Sequence, residues 1–136
     1  MRKGPIPLDV HAGIEPVVAI VVIAAPWIFG FSDVHSATAI SIIVGVVMLL
    51  SGAMTKWRLA LVRLIPLRAH FVTDLVLGAF LILAPFIFGF SHNGAATRFT
   101  IIVGALELLT ALTTRWDPAD ARDREKRASA NVAAAR

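Results

Sequence analysis

One segment of this chain occurs twice, and that repetition limits its possible folds more than any other feature. The octapeptide at 25–32, Ala-Pro-Trp-Ile-Phe-Gly-Phe-Ser, returns at 84–91 as Ala-Pro-Phe-Ile-Phe-Gly-Phe-Ser. Residues 11–57 align with 70–116 without a gap, and 20 of the 47 aligned positions are identical. Because the identities include turn and polar positions, hydrophobicity alone does not explain them. The chain is therefore an internal duplication.

Each repeat is predicted to form two membrane-spanning helices. No Asp, Glu, Lys or Arg occurs in 16–32, 34–55 or 75–97, and 57% of all residues are hydrophobic. A chain of 136 residues cannot bury that much apolar surface in a soluble core. Helices of about 20 apolar residues match a hydrocarbon layer of roughly 30 Å. The predicted helices are 13–29, 36–55, 69–88 and 95–114.

The predicted fold is an all-α membrane protein whose four transmembrane helices form two tandem parallel-repeat helical hairpins. The divisions are a lead-in (1–10), repeat 1 (11–57), a basic interfacial connector (58–69), repeat 2 (70–116) and a charged tail (117–136). Of the 13 Lys and Arg residues, 12 fall on the side of the lead-in, connector and tail. The positive-inside rule then predicts a multi-pass protein of the cell (inner) membrane with both termini in the cytoplasm.

The octapeptide is interpreted as the corner of each hairpin. A proline inside a helix bends its axis, and a glycine permits the tight turn that ends a helix. The alternative is a substrate site in a broken helix, which the absence of charge within the motif disfavours. The residues assigned to the structural role are Pro26, Trp27, Gly30, Pro85, Phe86 and Gly89.

Small residues recur four apart on the second helix and again on the fourth. Such residues let two helices approach closely in lipid, so they predict a helix-packing face rather than a solute path. The residues assigned to it are Ala37, Ser41, Gly45, Thr100 and Gly104.

The connector carries Arg58, Arg63 and Arg68 among apolar residues, with no acidic residue and with Trp57 just before it. This pattern predicts a segment at the membrane surface whose arginines contact lipid headgroups and whose tryptophan lies at the interface. Specific binding of anionic lipid and simple anchoring of the topology are both compatible with it.

Glu107 is the most unusual residue, because it lies about 12 Å inside the fourth helix at 1.5 Å per residue. A carboxylate at that depth is costly unless it is paired or protonated. Its counterpart in the first repeat is Met48. Handling of protons or cations, or a buried bond to a partner, is one interpretation. The other is a neutral acid bonded to a neighbouring helix through one of three hydroxyls, those of Ser41, Thr100 and Thr110.

Glu15 and Asp74 occupy equivalent positions, each four residues after a histidine, His11 or His70. Residues four apart share one helix face. Two such pairs about a pseudo-two-fold axis could converge on a metal ion. The preferred interpretation is that each carboxylate caps the N-terminus of its helix, where the helix dipole favours a negative charge. Alternatively, each pairs with a basic residue at the end of the second or fourth helix. No metal is therefore predicted.

The sequence contains no cysteine, and no nucleophile–base set, phosphate loop or haem-attachment motif. The prediction is a non-catalytic protein with no cofactor and no nucleic-acid partner. It is expected to be a structural or accessory subunit of a membrane complex, or to associate with itself. The alternatives are a small proton- or cation-linked transporter or channel using Glu107, and an anionic-lipid-binding membrane protein.

The chain resembles the SPW-repeat family of small bacterial membrane proteins, whose Ser-Pro-Trp motif lies in the first of two transmembrane helices. Here the motif stands as Ala-Pro-Trp at 25–27 and Ala-Pro-Phe at 84–86, so the serine is replaced in both copies and the tryptophan in the second. The resemblance covers residues 11–116. It implies the fold and a membrane location, and it implies no activity.

Overall fold

The computed structural model describes residues 4–136, and its regular structure is helical throughout that range. The helices are α1 (Leu8–Ile28), α2 (His35–Met54), α3 (Leu67–Ile87), α4 (Gly94–Thr113) and α5 (Pro118–Ala134). The first four are long and apolar enough to cross a membrane. This confirms the predicted all-α fold with four spans. Arg2 and Lys3, which the orientation argument uses, lie outside the described residues.

Helices α1 and α3 each begin directly after a proline, earlier than predicted. Pro7 and Pro66 precede them in extended backbone, and the Pro7 carbonyl accepts a hydrogen bond from the His11 N–H at 3.2 Å. A proline has no N–H to satisfy and a fixed φ, so it suits the start of a helix. The first turn of α1 therefore includes residues that were predicted to be irregular.

The octapeptides form the two hairpin corners. Gly30 and Gly89 both have a φ of +71°, a left-handed conformation that glycine adopts without a Cβ clash. The Phe31 N–H donates to the Pro26 carbonyl at 2.8 Å, which is the six-to-one bond of a Schellman motif. The second corner repeats this geometry. The aromatic side chains at 27 and 86 are exposed on the outer surface of the bundle.

The tight helix pairs are α1 with α2 and α3 with α4. In each pair a glycine lies against the backbone of the partner helix. A Cβ added to Gly45 would lie 2.8 Å from the Ala19 carbonyl oxygen, and one added to Gly104 would lie 2.6 Å from that of Gly78. Backbone approach of this kind is what small residues permit. Ala37, Ser41 and Thr100 are fully buried on the same faces.

The two hairpins contact each other through α2 with α3 and through α1 with α4. Between the hairpin corners and the middle of the bundle they share one apolar core. Its fully buried or nearly buried side chains come from both repeats and are Ala19, Val22, Ala25, Phe31, Ala37, Ile40, Val44, Met48, Leu81, Ala84, Phe90 and Ala96.

At the opposite end, α1 and α3 begin and α2 and α4 end; we call it the basal end. There the Ile6 N–H donates to the Thr113 carbonyl at 3.1 Å, and the Ile6 carbonyl accepts from the Arg115 N–H at 2.8 Å. Ile65 forms the equivalent bridge to Thr55 in the other repeat. The tripeptide Ile-Pro-Leu stands at both 6–8 and 65–67. The structural equivalence of the repeats therefore extends into the lead-in and the connector.

Candidate functional site

Four polar side chains meet inside the basal end of the bundle. His11 and Glu15 come from one face of α1, and His70 and Asp74 from the equivalent face of α3. All four are buried, with relative exposures of 6%, 5%, 0% and 1% in that order. We call them the quartet. Their i, i+4 spacing predicts the pairing within each helix, and helix packing brings the two pairs together.

Each histidine of the quartet faces both carboxylates. The His70 Nε2 atom lies 3.2 Å from Glu15 Oε2 and 3.3 Å from Asp74 Oδ1. The His11 Nε2 atom lies 3.4 Å from Asp74 Oδ2 and 3.9 Å from Glu15 Oε2. Among the described residues, neither Nε2 atom has a hydrogen-bond partner of acceptable geometry. The same is true of both carboxylate oxygens of Glu15 and of the Oδ2 atom of Asp74.

Two hydroxyl groups orient the ring of His70. The Thr55 hydroxyl donates its only hydrogen to the Ser51 carbonyl at 2.6 Å. The same hydroxyl oxygen lies 2.7 Å from His70 Nδ1, with Ser51 Oγ at 2.8 Å. With the Thr55 proton on that carbonyl, an Nδ1–H of His70 that donates to the Thr55 oxygen satisfies both groups. In the neutral ring, Nε2 then presents a lone pair to the carboxylates.

His11 is held in the same way by the other repeat. The Thr114 hydroxyl donates to the Thr110 carbonyl at 2.6 Å and lies 3.1 Å from His11 Nδ1. Each histidine is thus oriented by a threonine that bridges to the segment just before its own helix. Such an outer partner on Nδ1 fixes the direction of Nε2, as it does for histidines that bind metal ions.

Two tryptophans close the quartet toward the basal surface. The Trp57 ring centroid lies 4.5 Å from that of His70, and the Trp116 centroid lies 5.0 Å from that of His11. Their indole N–H groups donate to the carbonyls of Gly52 and Ala111 at 2.8 and 2.7 Å. Trp57 was predicted to lie at the membrane interface, but it is buried against the histidines because its N–H finds a partner inside the protein.

Glu107 is a third buried carboxylate next to the quartet. It is 6% exposed, and its Oε1 atom has no hydrogen-bond partner among the described residues. It lines a cavity of about 90 Å³ between α1 and α4, together with His11 and Glu15. The structure therefore places Glu107, Glu15 and Asp74 in one polar region, and it adds both histidines to it.

Two of the three hydroxyls that were predicted to bond the Glu107 carboxyl donate to backbone carbonyls instead. The Thr110 hydroxyl donates to the backbone carbonyl of Glu107 at 3.0 Å, and the Thr100 hydroxyl donates to the Ala96 carbonyl at 3.1 Å. Ser41 Oγ has no hydrogen-bond partner among the described residues. These contacts do not supply the bond that a neutral, purely structural acid was expected to form.

The remaining predicted residues lie outside the quartet. The hairpin-corner residues and the helix-packing residues occupy the far end and the middle of the bundle. The connector arginines at 58, 63 and 68 are exposed at the basal end. The residues around the quartet that sequence reasoning did not connect with its histidines and acids are Thr55, Thr114, Trp57, Trp116 and Ser51. Their signal was present, since Thr-Lys-Trp at 55–57 recurs as Thr-Arg-Trp at 114–116.

The quartet has the donor chemistry of a metal centre. One ligand atom from each of His11, His70 and Asp74 lies within 4.8 Å of the other two, and Glu15 Oε2 lies within 3.9 Å of both histidine nitrogens. Imidazole nitrogen and carboxylate oxygen are ligands for divalent transition metals. The alternative arrangement of the same atoms is a pair of protonated histidines between two carboxylates.

Comparison with known proteins identifies the family. A sequence profile of the SPW repeat domain matches residues 9–114, which include the whole quartet, Glu107 and both hairpins. No curated protein and no solved structure matches the chain. The match spans well over half of the 136 residues, and it confirms the resemblance carried by the two octapeptides. The chain belongs to the SPW repeat domain family.

Proposed function

We propose that this multi-pass membrane protein binds a divalent transition-metal ion at the quartet. The ligands are Nε2 of His11, Nε2 of His70 and the carboxylates of Asp74 and Glu15. The observation that supports the proposal is the convergence of unpartnered, buried lone-pair atoms from four side chains. The proposal concerns binding and includes no reaction.

The nitrogen–oxygen distances within the quartet are close to those around a tetrahedral ion. Metal–ligand bonds of about 2.0–2.1 Å to nitrogen and oxygen give ligand–ligand separations of roughly 3.3–3.4 Å in a tetrahedron. Three of the four nitrogen–oxygen distances lie between 3.2 and 3.4 Å, and the fourth is 3.9 Å. The two Asp74 distances involve different oxygens, so binding would require the Asp74 carboxylate to turn one oxygen toward both histidines and Glu15 to move closer to His11.

Charge supports the same proposal. Two neutral histidines and two carboxylates carry a charge of −2, which a divalent cation balances. An unbalanced charge inside a membrane bundle is costly, and buried charges are normally paired or coordinate metals. The absence of cysteine favours metals that accept nitrogen and oxygen ligands, with Zn²⁺ as the natural probe.

The structure favours a binding site over a channel. From the quartet to the hairpin corners, the interior is the shared apolar core, with the hydroxyls of Ser41 and Thr100 as its buried polar groups. A cation path needs polar or charged groups along its length. Transport by this chain therefore stays a prediction from sequence, while binding has a built site.

The test is a metal titration of the full chain, purified through a tag without histidine and reconstituted in lipid nanodiscs. We expect a single Zn²⁺ per chain, and Co²⁺ should give the visible absorption of a tetrahedral site. The double variant His11→Gln/His70→Gln should lose this binding. The matched control is His35→Gln/His92→Gln, which changes the two exposed histidines at the hairpin corners and should bind normally.

Two results would overturn the proposal. One is a folded native protein that binds no Zn²⁺ or Co²⁺, which would leave the quartet as an internal ion-pair network. The other is equal binding by both double variants. If the double histidine variant does not fold, Asp74→Asn takes its place, because it keeps the shape of the side chain. Loss of Zn²⁺ binding in Asp74→Asn would then support the proposal, and native binding would overturn it.

The predicted role as a structural or accessory subunit, or as a homo-oligomer, stays a prediction. Exposed apolar side chains cover the outer faces of the four spans, and both lipid and a neighbouring protein fit such faces. Cross-linking in the native membrane, followed by identification of the linked chains, tests it. Binding of anionic lipid is a second candidate function, favoured by the exposed arginines and apolar side chains of the connector.

A further inference from the structure

A cavity that no quartet residue lines lies at the basal end, between α1, α2 and the connector. It has a volume of about 360 Å³, which is within the range of sites for small molecules. Trp57, Leu59 and Leu61 form one wall, and mostly small residues of the two helices form the other. Water needs several polar partners to occupy a cavity, and this wall is mostly apolar. The cavity therefore suits a hydrocarbon group.

The cavity results from a difference between the repeats. One of its lining residues is Ala12, which is 4% exposed, and the aligned residue of repeat 2 is Phe71. The Phe71 ring centroid lies 5.5 Å from that of Trp116, the counterpart of Trp57. An aromatic ring thus packs on the tryptophan in repeat 2, whereas repeat 1 has a methyl group and leaves space beside Trp57. Atoms that line an empty space forfeit dispersion contacts, so an occupant of the cavity is stabilising.

Backbone hydrogen bonds hold the connector over the end of α2. The Leu61 and Val62 N–H groups both donate to the Ala53 carbonyl, at 2.9 and 3.1 Å. The connector wall of the cavity is therefore a fixed part of the fold. On this wall the side chains of Leu59 and Leu61 are 54% and 86% exposed, so the cavity opens to the surroundings of the bundle and not to its interior.

Basic residues adjoin the cavity along the chain. Arg58 is exposed and stands between Trp57 and Leu59, which both line the cavity. Arg63 and Arg68 are exposed further along the connector, which contains no acidic residue. Basic residues at the end of a membrane span attract anionic headgroups. An apolar cavity beside positive charge matches an amphiphile with a hydrocarbon chain and a negatively charged head.

We propose that this cavity holds one acyl chain of an anionic phospholipid, whose phosphate lies against Arg58. The proposal is independent of metal binding at the quartet, and it rests on the second candidate function, binding of anionic lipid by the connector. A chain that moves from the bilayer into the cavity gains little from the hydrophobic effect, because both surroundings are apolar. Filling of the cavity and contact with the headgroup therefore supply the affinity.

The experiment uses the indole of Trp57 to report occupancy, because bromine atoms on an acyl chain quench an indole that they touch. The Trp27→Phe protein, which lacks the exposed indole, is placed in phosphatidylcholine nanodiscs with a rising fraction of brominated phosphatidylglycerol. Of its two tryptophans, Trp57 lines the cavity, whereas Trp116 contacts Phe71. We expect half-maximal quenching at about a fivefold lower mole fraction than with brominated phosphatidylcholine, the factor by which one basic side chain at the surface favours an anionic lipid.

Two further changes separate the chain from the headgroup. Ala12→Phe reproduces repeat 2 and fills the cavity, so it should remove most of the quenching by either brominated lipid. Arg58→Gln leaves the cavity open, so it should keep the maximal quenching and lose the preference for phosphatidylglycerol. The matched control is Ala105→Phe, which adds the same group on an exposed face of α4 and should change neither.

The outcomes distinguish the cavity from the connector. Equal maximal quenching in the folded Ala12→Phe and Ala105→Phe proteins would overturn the proposal, as would equal half-saturation by the two brominated lipids in the Trp27→Phe protein. If native mass spectrometry then still shows retained phosphatidylglycerol, lipid binding by the connector stands and only the cavity site falls. If phosphatidylglycerol is neither retained nor preferred, both fall. If Ala12→Phe does not fold, Ala53→Leu decides, because it also introduces the aligned residue of repeat 2 into the cavity wall.

Discussion

His70 Nε2 lies 3.2 Å from the Glu15 carboxylate, which belongs to the other repeat, and 3.3 Å from Asp74 in its own helix. Each hairpin contributes one histidine and one acid, so neither contains the quartet alone. Two ligands hold a metal ion weakly, whereas four complete a tetrahedral site. Duplication of the hairpin therefore created the polar centre as well as the apolar core.

The threonines behind the histidines should control metal affinity without touching the ion. Thr114→Val removes the hydroxyl beside Nδ1 of His11, and Thr55→Val removes one of the two hydroxyls beside Nδ1 of His70, where Ser51 Oγ stays at 2.8 Å. Each ring therefore loses an orienting contact. We expect each variant to lower Zn²⁺ affinity by about 10–100-fold, measured by competition with a chelating dye. Thr73→Val is the control, because the Thr73 hydroxyl donates to the Ala69 carbonyl of its own helix and not to a histidine of the quartet. An equal loss in the control would contradict the prediction.

The two buried tryptophans should report occupancy of the quartet. Co²⁺ quenches nearby indoles, and the rings of Trp57 and Trp116 lie 4.5–6.0 Å from the histidine rings. We expect Co²⁺ to quench most of their emission. A Trp27→Phe protein should keep the quenching, since that indole is exposed at the far end of the bundle. Quenching that survives in Trp57→Phe/Trp116→Phe but disappears in Trp27→Phe would place the ion elsewhere.

The two acids should contribute unequally to binding. Asp74 faces both histidines through separate oxygens at 3.3 and 3.4 Å, whereas Glu15 reaches His11 only at 3.9 Å. Asp74→Asn should therefore weaken Zn²⁺ binding more than Glu15→Gln does. Calorimetric titration of the two isosteric variants measures the order, and the reverse order would show that Glu15 is the closer ligand. Zn²⁺ binding to both variants should weaken at acid pH, because the ligand atoms must lose their protons before they can bind the ion.

Much of the fold was predictable, because its causes are local or repeated. Uncharged stretches of bilayer length predicted the four membrane-spanning helices, and the Pro-x-x-x-Gly spacing of the octapeptides predicted the hairpin corners. The starts of α1 and α3 were predicted too late, because the prolines at 7 and 66 were not used as signals for the start of a helix. In that position a proline also precedes a first helical turn.

The quartet was only partly predictable. The spacing of His11 to Glu15 and of His70 to Asp74 put each pair on one helix face, but the sequence gives no angle between α1 and α3. Convergence therefore stayed an alternative, and capping of helix N-termini or pairing with basic residues was preferred. The stronger signal was the recurrence of polar residues inside apolar helices, in register with Thr-x-Trp. A polar residue kept in both copies is expensive in a membrane unless it has a partner.

The helix crossing inside the second hairpin should tolerate no added atom. A Cβ on Gly104 would lie 2.6 Å from the Gly78 carbonyl oxygen, which is backbone and cannot swing away. Gly104→Ala should destabilise the fold by about 1–3 kcal/mol, measured by unfolding in mixed micelles. Gly13→Ala is the control, because its nearest neighbour is the Leu59 side chain at 3.9 Å. Equal stability of the two variants would mean that α3 and α4 separate easily.

The connector should retain anionic lipid at the basal surface. Arg58, Arg63 and Arg68 are exposed there, and the apolar side chains between them are too, with Leu61 86% exposed. Apolar groups left uncovered beside basic ones match the boundary between acyl chains and phosphate headgroups. Replacing the three arginines with glutamine should release phosphatidylglycerol from the purified protein, as measured by native mass spectrometry at rising salt. Arg98→Gln, an exposed arginine near the hairpin corners, should leave retention unchanged. Retention that survives the triple change would leave the connector as a topology anchor, because anchoring requires positive charge near the span and no particular headgroup.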